Sequence, residues 1–402
     1  MVCDRHYVRA CWKCPHTMHV PLPKLRKRII YLDQFVISNV MKELDPDTPA
    51  HSKGIKGGFY RTVFERLDRL SKLQLIVCPS SPLHDNESLV DDRYEKMRAV
   101  LRQLSLGVSL VPPERFFHSQ SLGAFRSWVG LQEDPIPDDR RGAFHGDPDR
   151  WADRLQISAN FKLPGIDEAL RLTSRKRSQY IHDVCLRWQS AATFDFRQVF
   201  EEELLGILRT PITEYLNFAQ RMARATTGDV PADLGELYPP NSTGMIDVML
   251  SQLRTETKSP DECYARLEGF LQSDVAKSIP YARITALFWT TIAREIRSGR
   301  KSANFPGASM VNDIDMVAAY SGICDAMFVD KQVSHLASQG ELKEELSGRA
   351  RLYSLRVDEE SDFLAYLDSI EREASADHKR TVADVYGPEW SKPYLELLVR
   401  RP

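Results

Sequence analysis

Two short apolar runs at opposite ends of the chain place the strongest constraint on the fold. Residues 29–32 and 326–329 are apolar or aromatic throughout, and each run is followed directly by an aspartate, Asp33 and Asp330. Runs of this kind are typical of strands that are buried on both faces of a sheet. Because a few short strands cannot bury their faces alone, we expect both runs to lie in one parallel sheet. The two ends of the sequence are therefore predicted to form one α/β domain.

Strand and helix patterns alternate around these two runs. A further buried strand is predicted at residues 75–78 and another at 351–355. Apolar residues at every third or fourth position predict helices at residues 35–41, 59–73, 91–104, 313–321, 342–347 and 360–374. The order β-α-β-α at one end, and α-β-α-β-α at the other, is that of a parallel sheet covered by helices.

The middle of the chain has a different character. Residues 132–150 are rich in Pro, Asp and Gly and are predicted as a loop, whereas amphipathic helices and no convincing strand are predicted from 151 to 298. Those helices are 166–190, 197–225, 243–256, 260–275 and 279–298, with Trp188 and Trp289 expected in their core. The predicted organisation is a Cys/His-rich element (1–23), a first half-domain (24–130), a helical insertion (131–304), and a second half-domain with a C-terminal tail (305–402).

Acidic residues follow the predicted strands, where parallel α/β sheets carry their chemistry. Asp33 and Asp330 end two strands, Glu87 follows another, and Asp313 and Asp315 are expected to open a helix. Asp85 and Asp325 are the alternatives for Glu87 and for the helix-opening acid. Clustered carboxylates repel one another unless cations neutralise them, and Mg²⁺ or Mn²⁺ suits an all-oxygen site. Such ions promote phosphodiester hydrolysis.

The motifs Ile-Ile-Tyr-Leu-Asp33, Pro-Ser-Ser-Pro-Leu-His-Asp-Asn-Glu87, Asn-Asp313-Ile-Asp315 and Ala-Met-Phe-Val-Asp330 resemble, in this order, those of PIN-like domains. The resemblance covers residues 28–110 and 305–372, and the helical stretch between them has no counterpart in a minimal PIN domain. It implies a three-layer α/β fold with a parallel sheet and a metal-dependent nuclease, chiefly an endoribonuclease. Asp33, Glu87, Asp313 or Asp315, and Asp330 would then be both Mg²⁺ or Mn²⁺ ligands and catalytic residues, acting on RNA or, as the alternative, on single-stranded DNA.

Other interpretations of these residues stay open at this point. Each aspartate could instead cap a helix or form a turn, which leaves a non-catalytic binding or scaffold protein on the same fold. The segment Arg177-Ser-Gln-Tyr-Ile-His182 matches the Arg-x4-His pattern of HEPN ribonucleases, which cleave RNA without a metal. The basic cluster around it could bind phosphates or form a solvated helix face; it consists of Arg171, Arg175, Lys176 and Arg177.

Three of the seven cysteines lie within the first fourteen residues. Cys3-x-x-His6 and Cys11-x-x-Cys14 are two pairs of soft ligands at the spacing of a zinc knuckle, so a Zn²⁺ site is one interpretation and a plain tail is the other. The remaining cysteines are isolated in apolar contexts, so we expect them to be reduced and buried; they are Cys78, Cys185, Cys263 and Cys324.

The charge balance limits how this chain could bind nucleic acid. A formal net charge of −2 over 402 residues excludes coating of nucleic acid by bulk positive charge. The longest apolar run, residues 284–293, is about half the length that a bilayer requires, and the first residues lack the apolar core of a secretory signal. We therefore expect a cytoplasmic protein without a membrane partner, while an oligomer or a regulatory partner stays open.

Overall fold

The computed structural model describes the chain except for residues 1, 4–5, 12, 49–57, 85–92, 132–139, 153–165, 192, 229–236, 258, 300–304, 355–356 and 400–402. Its strands are β1 (Val2–Cys3), β2 (His6–Ala10), β3 (Thr17–Pro21), β4 (Arg28–Leu32), β5 (Ile76–Val77), β6 (Ser109–Leu110), β7 (Phe144–His145), β8 (Ala326–Phe328) and β9 (Arg351–Tyr353). Strands β1 to β3 form an antiparallel sheet, and β6 pairs with β7.

Helices connect and cover these strands. The first half of the chain has α1 (Gln34–Leu44), α2 (Phe59–Lys72), α3 (Tyr94–Ser105), α4 (Pro113–Trp128), α5 (Ile166–Ser190) and α6 (Phe196–Thr226). The second half has α7 (Thr243–Leu253), α8 (Pro260–Gln272), α9 (Asp274–Lys277), α10 (Pro280–Arg297), α11 (Ala308–Tyr320), α12 (Lys331–Ala337), α13 (Gly340–Glu345), α14 (Val357–Glu373) and α15 (Ala376–Tyr386). None of the helices in the described ranges combines the length and apolar character needed to cross a bilayer.

Strands from both ends of the sequence form one parallel sheet, in the order β5-β4-β8-β9. The central pair is β4 and β8, in which Tyr31 is opposite Met327 and Leu32 is opposite Phe328. The prediction that residues 29–32 and 326–329 share a parallel sheet is therefore confirmed. Because the register aligns the last residues of both strands, whatever follows β4 and β8 emerges at the same edge of the sheet.

Helices pack on both faces of this sheet. Successive residues of β4 point to opposite faces, so they join two different cores. Ile30 and Leu32 join a core formed with α1, α2, α3 and α14. Ile29 and Tyr31 join a second core, formed with α4, α10 and α11, which continues into helices α5 to α8. The predicted α/β class, with a parallel sheet and a mainly helical stretch between its two halves, is thus confirmed.

Two regions differ from the sequence-based expectation. Helix α4 was not predicted, yet it packs on the helical stretch, where the Phe125 and Phe270 rings meet edge to face with centroids 5.3 Å apart. The predicted loop at residues 132–150 contains β7 and a short 3-10 turn, Arg140–Ala143. Helix α4 packs against Phe270 and strand β7 pairs with β6, and both partners are distant in sequence, so local patterns do not reveal them.

Candidate functional site

Asp33 and Asp330 lie side by side at the carboxyl edge of the sheet, each as the N-cap of the next helix. The Asp33 amide donates to the Phe328 carbonyl at 2.9 Å, which ties the end of β4 to β8. Oδ1 of Asp33 accepts the Phe35 amide at 3.3 Å, and Oδ1 of Asp330 accepts the amides of Gln332 and Val333 at 2.7 Å. The capping interpretation therefore holds for both residues, and the caps fix where the two carboxylates lie.

Asp313 reaches the same place from a third element. The prediction that Asp313 and Asp315 open a helix was wrong: α11 begins at Ala308, with Gly307 as its N-cap. The helix begins earlier because Met310 and Val311 already pack into the core. Asp313 is therefore in the second turn, and Asp315 is about 200° further around the helix axis.

Asp33, Asp313 and Asp330 together line one open cavity of about 400 Å³, which we call the aspartate cavity. Its other lining residues are Gln34, Phe35, Ser38, Met97 and Ser309. Three of the predicted ligands thus line the same cavity, and each would offer carboxylate oxygens. Within the described ranges, however, no three His, Cys, Asp or Glu side chains stand close enough to hold a metal ion as they are placed.

Asp315 faces the helical stretch instead of the aspartate cavity. Its carboxylate accepts hydrogen bonds from the Tyr281 hydroxyl at 2.9 Å and from the Arg177 guanidinium at 3.2 Å. Arg177 also donates to the Asn312 side chain at 3.0 Å. Burial raises the pKa of Asp315 to about 6, and Arg177 and Tyr281 limit that rise. Asp313 is therefore the better match for the predicted helix acid.

The remaining acidic candidates have different outcomes. Glu87 and its alternative Asp85 lie outside the described residues. Asp325 lies at the opposite edge of the sheet, where its carboxylate accepts the Ile29 amide at 2.8 Å and the Arg28 guanidinium at 2.9 Å. These bonds join the starts of β4 and β8, so Asp325 holds the strands together and does not belong to the aspartate cavity.

His84 is a positioning residue that the sequence analysis missed. The buried ring donates from Nε2 to the Leu32 carbonyl at 2.7 Å, directly before Asp33, and its Nδ1 accepts the Ser81 amide at 3.2 Å. It also stacks on Tyr31, with ring centroids 5.3 Å apart. Burial lowers the pKa of His84 to about 4, which keeps the ring neutral. The signal in the sequence was a histidine six residues after a predicted buried strand.

The neutrality of His84 predicts a pH-dependent contribution to stability. Between its ordinary pKa of 6.5 and its folded value of about 4, the unfolded chain binds a proton that the folded chain does not. Stability that is present above pH 6.5 is therefore lost as the pH falls through this window. We expect the difference in free energy of unfolding between wild type and His84→Gln to narrow by about 2 kcal/mol between pH 7 and pH 5. Urea denaturation at both pH values measures it, and a constant difference would contradict the assignment.

The four proposed zinc ligands do not come together in the structure. Cys3 and His6 face each other at one end of β2, whereas Cys11 and Cys14 are exposed in the turn beyond its other end. A strand rises about 3.3 Å per residue, so β2 separates the pairs by roughly 13 Å, while each zinc ligand must lie about 2.0–2.3 Å from the ion. The segment is a small antiparallel sheet, whose backbone places the pair Cys3 and His6 at one end of β2 and the pair Cys11 and Cys14 beyond the other end.

Arg177 and His182, the residues of the HEPN-like pattern, have different neighbours. Arg177 is bonded to α11, and the His182 ring packs against Phe305 with centroids 5.4 Å apart. In the basic cluster, Arg175 and Arg177 are exposed, and the side chains of Arg171 and Lys176 lie outside the described part of the structure.

The predicted buried cysteines are confirmed as buried free thiols; they are Cys78, Cys185, Cys263 and Cys324. Comparisons with known proteins add no family: the chain matches no protein-family model, no curated protein and no solved structure. The candidate site is therefore assigned from the geometry of the chain and the resemblance of its motifs.

Proposed function

We propose that the aspartate cavity is the active site of a metal-dependent, PIN-like nuclease that hydrolyses phosphodiester bonds, with RNA as its main substrate. One observation supports this most: Asp33, Asp313 and Asp330 come from two adjacent parallel strands and a helix far apart in sequence, yet line one cavity. Structural capping accounts for the positions of Asp33 and Asp330. It does not account for Asp313, which caps no helix.

The donor set favours a hard divalent cation. Three carboxylates that line one cavity give it a negative potential, which favours a cation. Carboxylate and hydroxyl oxygens suit Mg²⁺ or Mn²⁺, which would bind between Asp33, Asp313 and Asp330, with Glu87 as the further ligand that the resemblance implies. When bound, such an ion supplies Lewis-acid activation of water and of the phosphoryl oxygen.

The chain itself supplies positioning. The caps of Asp33 and Asp330 each use Oδ1, so each carboxylate is oriented by backbone amides that are part of a helix. His84 fixes the carbonyl of Leu32, and with it the end of β4. Sites carried by regular elements keep their geometry better than sites carried by loops. Ser38 and Ser309 add hydroxyl groups to the rim, where they could bind phosphate oxygens of a substrate.

Removal of divalent metal is expected to abolish the activity. The protein would be treated with EDTA, dialysed, and incubated with an end-labelled single-stranded RNA, with and without added Mn²⁺. We expect no cleavage without metal and restored cleavage with Mn²⁺, because in the proposed reaction the ion polarises the phosphoryl oxygen and lowers the pKa of the attacking water. A single-stranded DNA of the same sequence tests the substrate class.

The same experiment separates the proposal from its two rivals. A HEPN-type activity, which needs only Arg177 and His182, would persist in EDTA. A binding or scaffold protein would cleave neither nucleic acid under either condition. Each of these results would overturn the proposed function.

A further inference from the structure

A second cavity, of about 450 Å³, lies in the helical stretch, and we call it the aromatic cavity. Phe117 and Tyr281 are stacked at 4.9 Å on one wall, and Trp188 and Trp289 meet at 6.3 Å on another. The two tryptophans were expected in a closed core, but both are only partly buried and line the cavity. A volume of this size lies within the usual range of small-molecule sites.

The polar lining of the aromatic cavity is strongly acidic. Among the side chains that the structure describes, four carboxylates line it, those of Glu114, Glu203, Glu214 and Asp315, against one guanidinium, that of Arg177. Arg177 is already paired with Asp315. His118 also lines the cavity, and burial lowers its pKa, which disfavours the charged form of the ring.

Two buried or half-buried polar groups line this cavity, the carboxylate of Glu203 and the hydroxyl of Thr285. Burial raises the pKa of Glu203, the neighbouring carboxylate of Glu202 raises it further, and Arg187 limits the rise. Thr285 is buried, and its hydroxyl forms no hydrogen bond within the described ranges. Other buried threonines of the same helix donate to backbone carbonyls, as Thr290 and Thr291 do. Buried polar groups without partners are uncommon and often mark a place that a ligand or water completes.

We propose that the aromatic cavity binds a small organic cation, whose amidinium, guanidinium or ammonium group lies among the carboxylates and whose flat or apolar body packs on the aromatic walls. The excess of carboxylates disfavours nucleotides and other anions. The aromatic walls disfavour a bare metal ion, which would gain nothing from Trp188 and Trp289. An organic cation matches both features, since aromatic rings also attract cations.

This site is distinct from the aspartate cavity. Asp313 and Asp315 are two residues apart on α11, and they line different cavities on different sides of that helix. Binding at the aromatic cavity can therefore be tested without metal, without RNA and without any assumption about cleavage.

Benzamidinium is a suitable probe because two analogues of nearly the same shape carry a different charge. Benzamide is its neutral counterpart, and benzoate is its anionic one. By isothermal titration of the full chain, we expect benzamidinium to bind at least tenfold more tightly than benzamide and benzoate to show no binding. Glu203→Gln removes one charge with little change of shape and should weaken benzamidinium binding at least fivefold.

The matched control is Glu202→Gln, the same substitution one position earlier on α6. Glu202 is exposed and does not line the cavity, so this variant should bind benzamidinium within twofold of the wild type. Equal affinity for benzamidinium and benzamide, preference for benzoate, or absence of benzamidinium binding would each overturn the proposal. Equal weakening by Glu202→Gln and Glu203→Gln would do so as well, because it would place the probe on the general surface.

Discussion

Asp33→Asn and Asp313→Asn are each expected to lower Mn²⁺-dependent cleavage of RNA at least a hundredfold. Each substitution keeps the shape of the side chain but removes a formal charge from the aspartate cavity, which weakens the affinity for a divalent cation. A hundredfold loss corresponds to about 2.7 kcal/mol of transition-state stabilisation. Initial rates on a labelled single-stranded RNA measure it, at one Mn²⁺ concentration that just saturates the wild type, with thermal melts to establish that the variants are folded.

Asp315→Asn provides the comparison that decides between the two acids of α11. Its carboxylate faces Tyr281 and Arg177, so its replacement should cost at least tenfold less activity than the replacement of Asp313. Asp33 adds an internal check, because Asn caps a helix as well as Asp does. If Asp33 served only as a cap, Asp33→Asn would cleave as fast as the wild type. A greater loss from Asp315→Asn than from Asp313→Asn would contradict the assignment, because it would place the catalytic acid on the other side of α11.

The sequence was sufficient to predict the central strands and two of the three aspartates of the cavity in their correct positions. Residues 29–32 and 326–329 are continuous apolar runs, and such runs have few alternatives to a buried strand when they are this short. Asp33 and Asp330 then follow from chain direction alone, since the carboxyl ends of parallel strands share an edge. These inferences need only local pattern and the requirement that apolar faces be buried.

The position of Asp313 could not be derived in the same way. Local pattern placed the helix start at the acidic residues, because aspartate is a favoured N-cap. Tertiary packing moved the start to Ala308, since Met310 and Val311 bury against neighbouring helices. The choice between Asp313 and Asp315 depends on which side of α11 faces the sheet edge. That choice is made by contacts with Arg177 and Tyr281, both remote in sequence.

His84 and the N-terminal segment show the same limit. The role of His84 depends on a backbone carbonyl at the end of another strand, which no spacing encodes. The Cys and His pairs of the first fourteen residues have zinc-like spacing, but β2 lies between them, and its five residues were too short a signal for a strand. Spacing predicts ligands only when the intervening chain folds back on itself.

Asp68→Ala is expected to lower the free energy of unfolding by about 3–5 kcal/mol, the usual cost of leaving a buried charge without its partner. Asp68 is fully buried on α2 and pairs with Lys72 at 2.8 Å, whose side chain is itself only 10% exposed. It also accepts the Gln103 side-chain amide and the Tyr394 backbone amide, each at 2.7 Å. One carboxylate thus joins α2, α3 and the C-terminal segment on the face of the sheet that also holds α1. Urea denaturation measures the loss.

The double variant Asp68→Leu with Lys72→Met tests whether the loss comes from the unpaired charge. Removing both members of a buried pair usually costs less than removing one, because no charge is left without a partner. The double variant should therefore be at least about 1 kcal/mol more stable than Asp68→Ala, even though the amides of Gln103 and Tyr394 lose their acceptor in both. If Asp68→Ala costs less than about 1 kcal/mol, water must reach Lys72 and solvate it, and the junction of α2 with the C-terminal segment contributes little to stability.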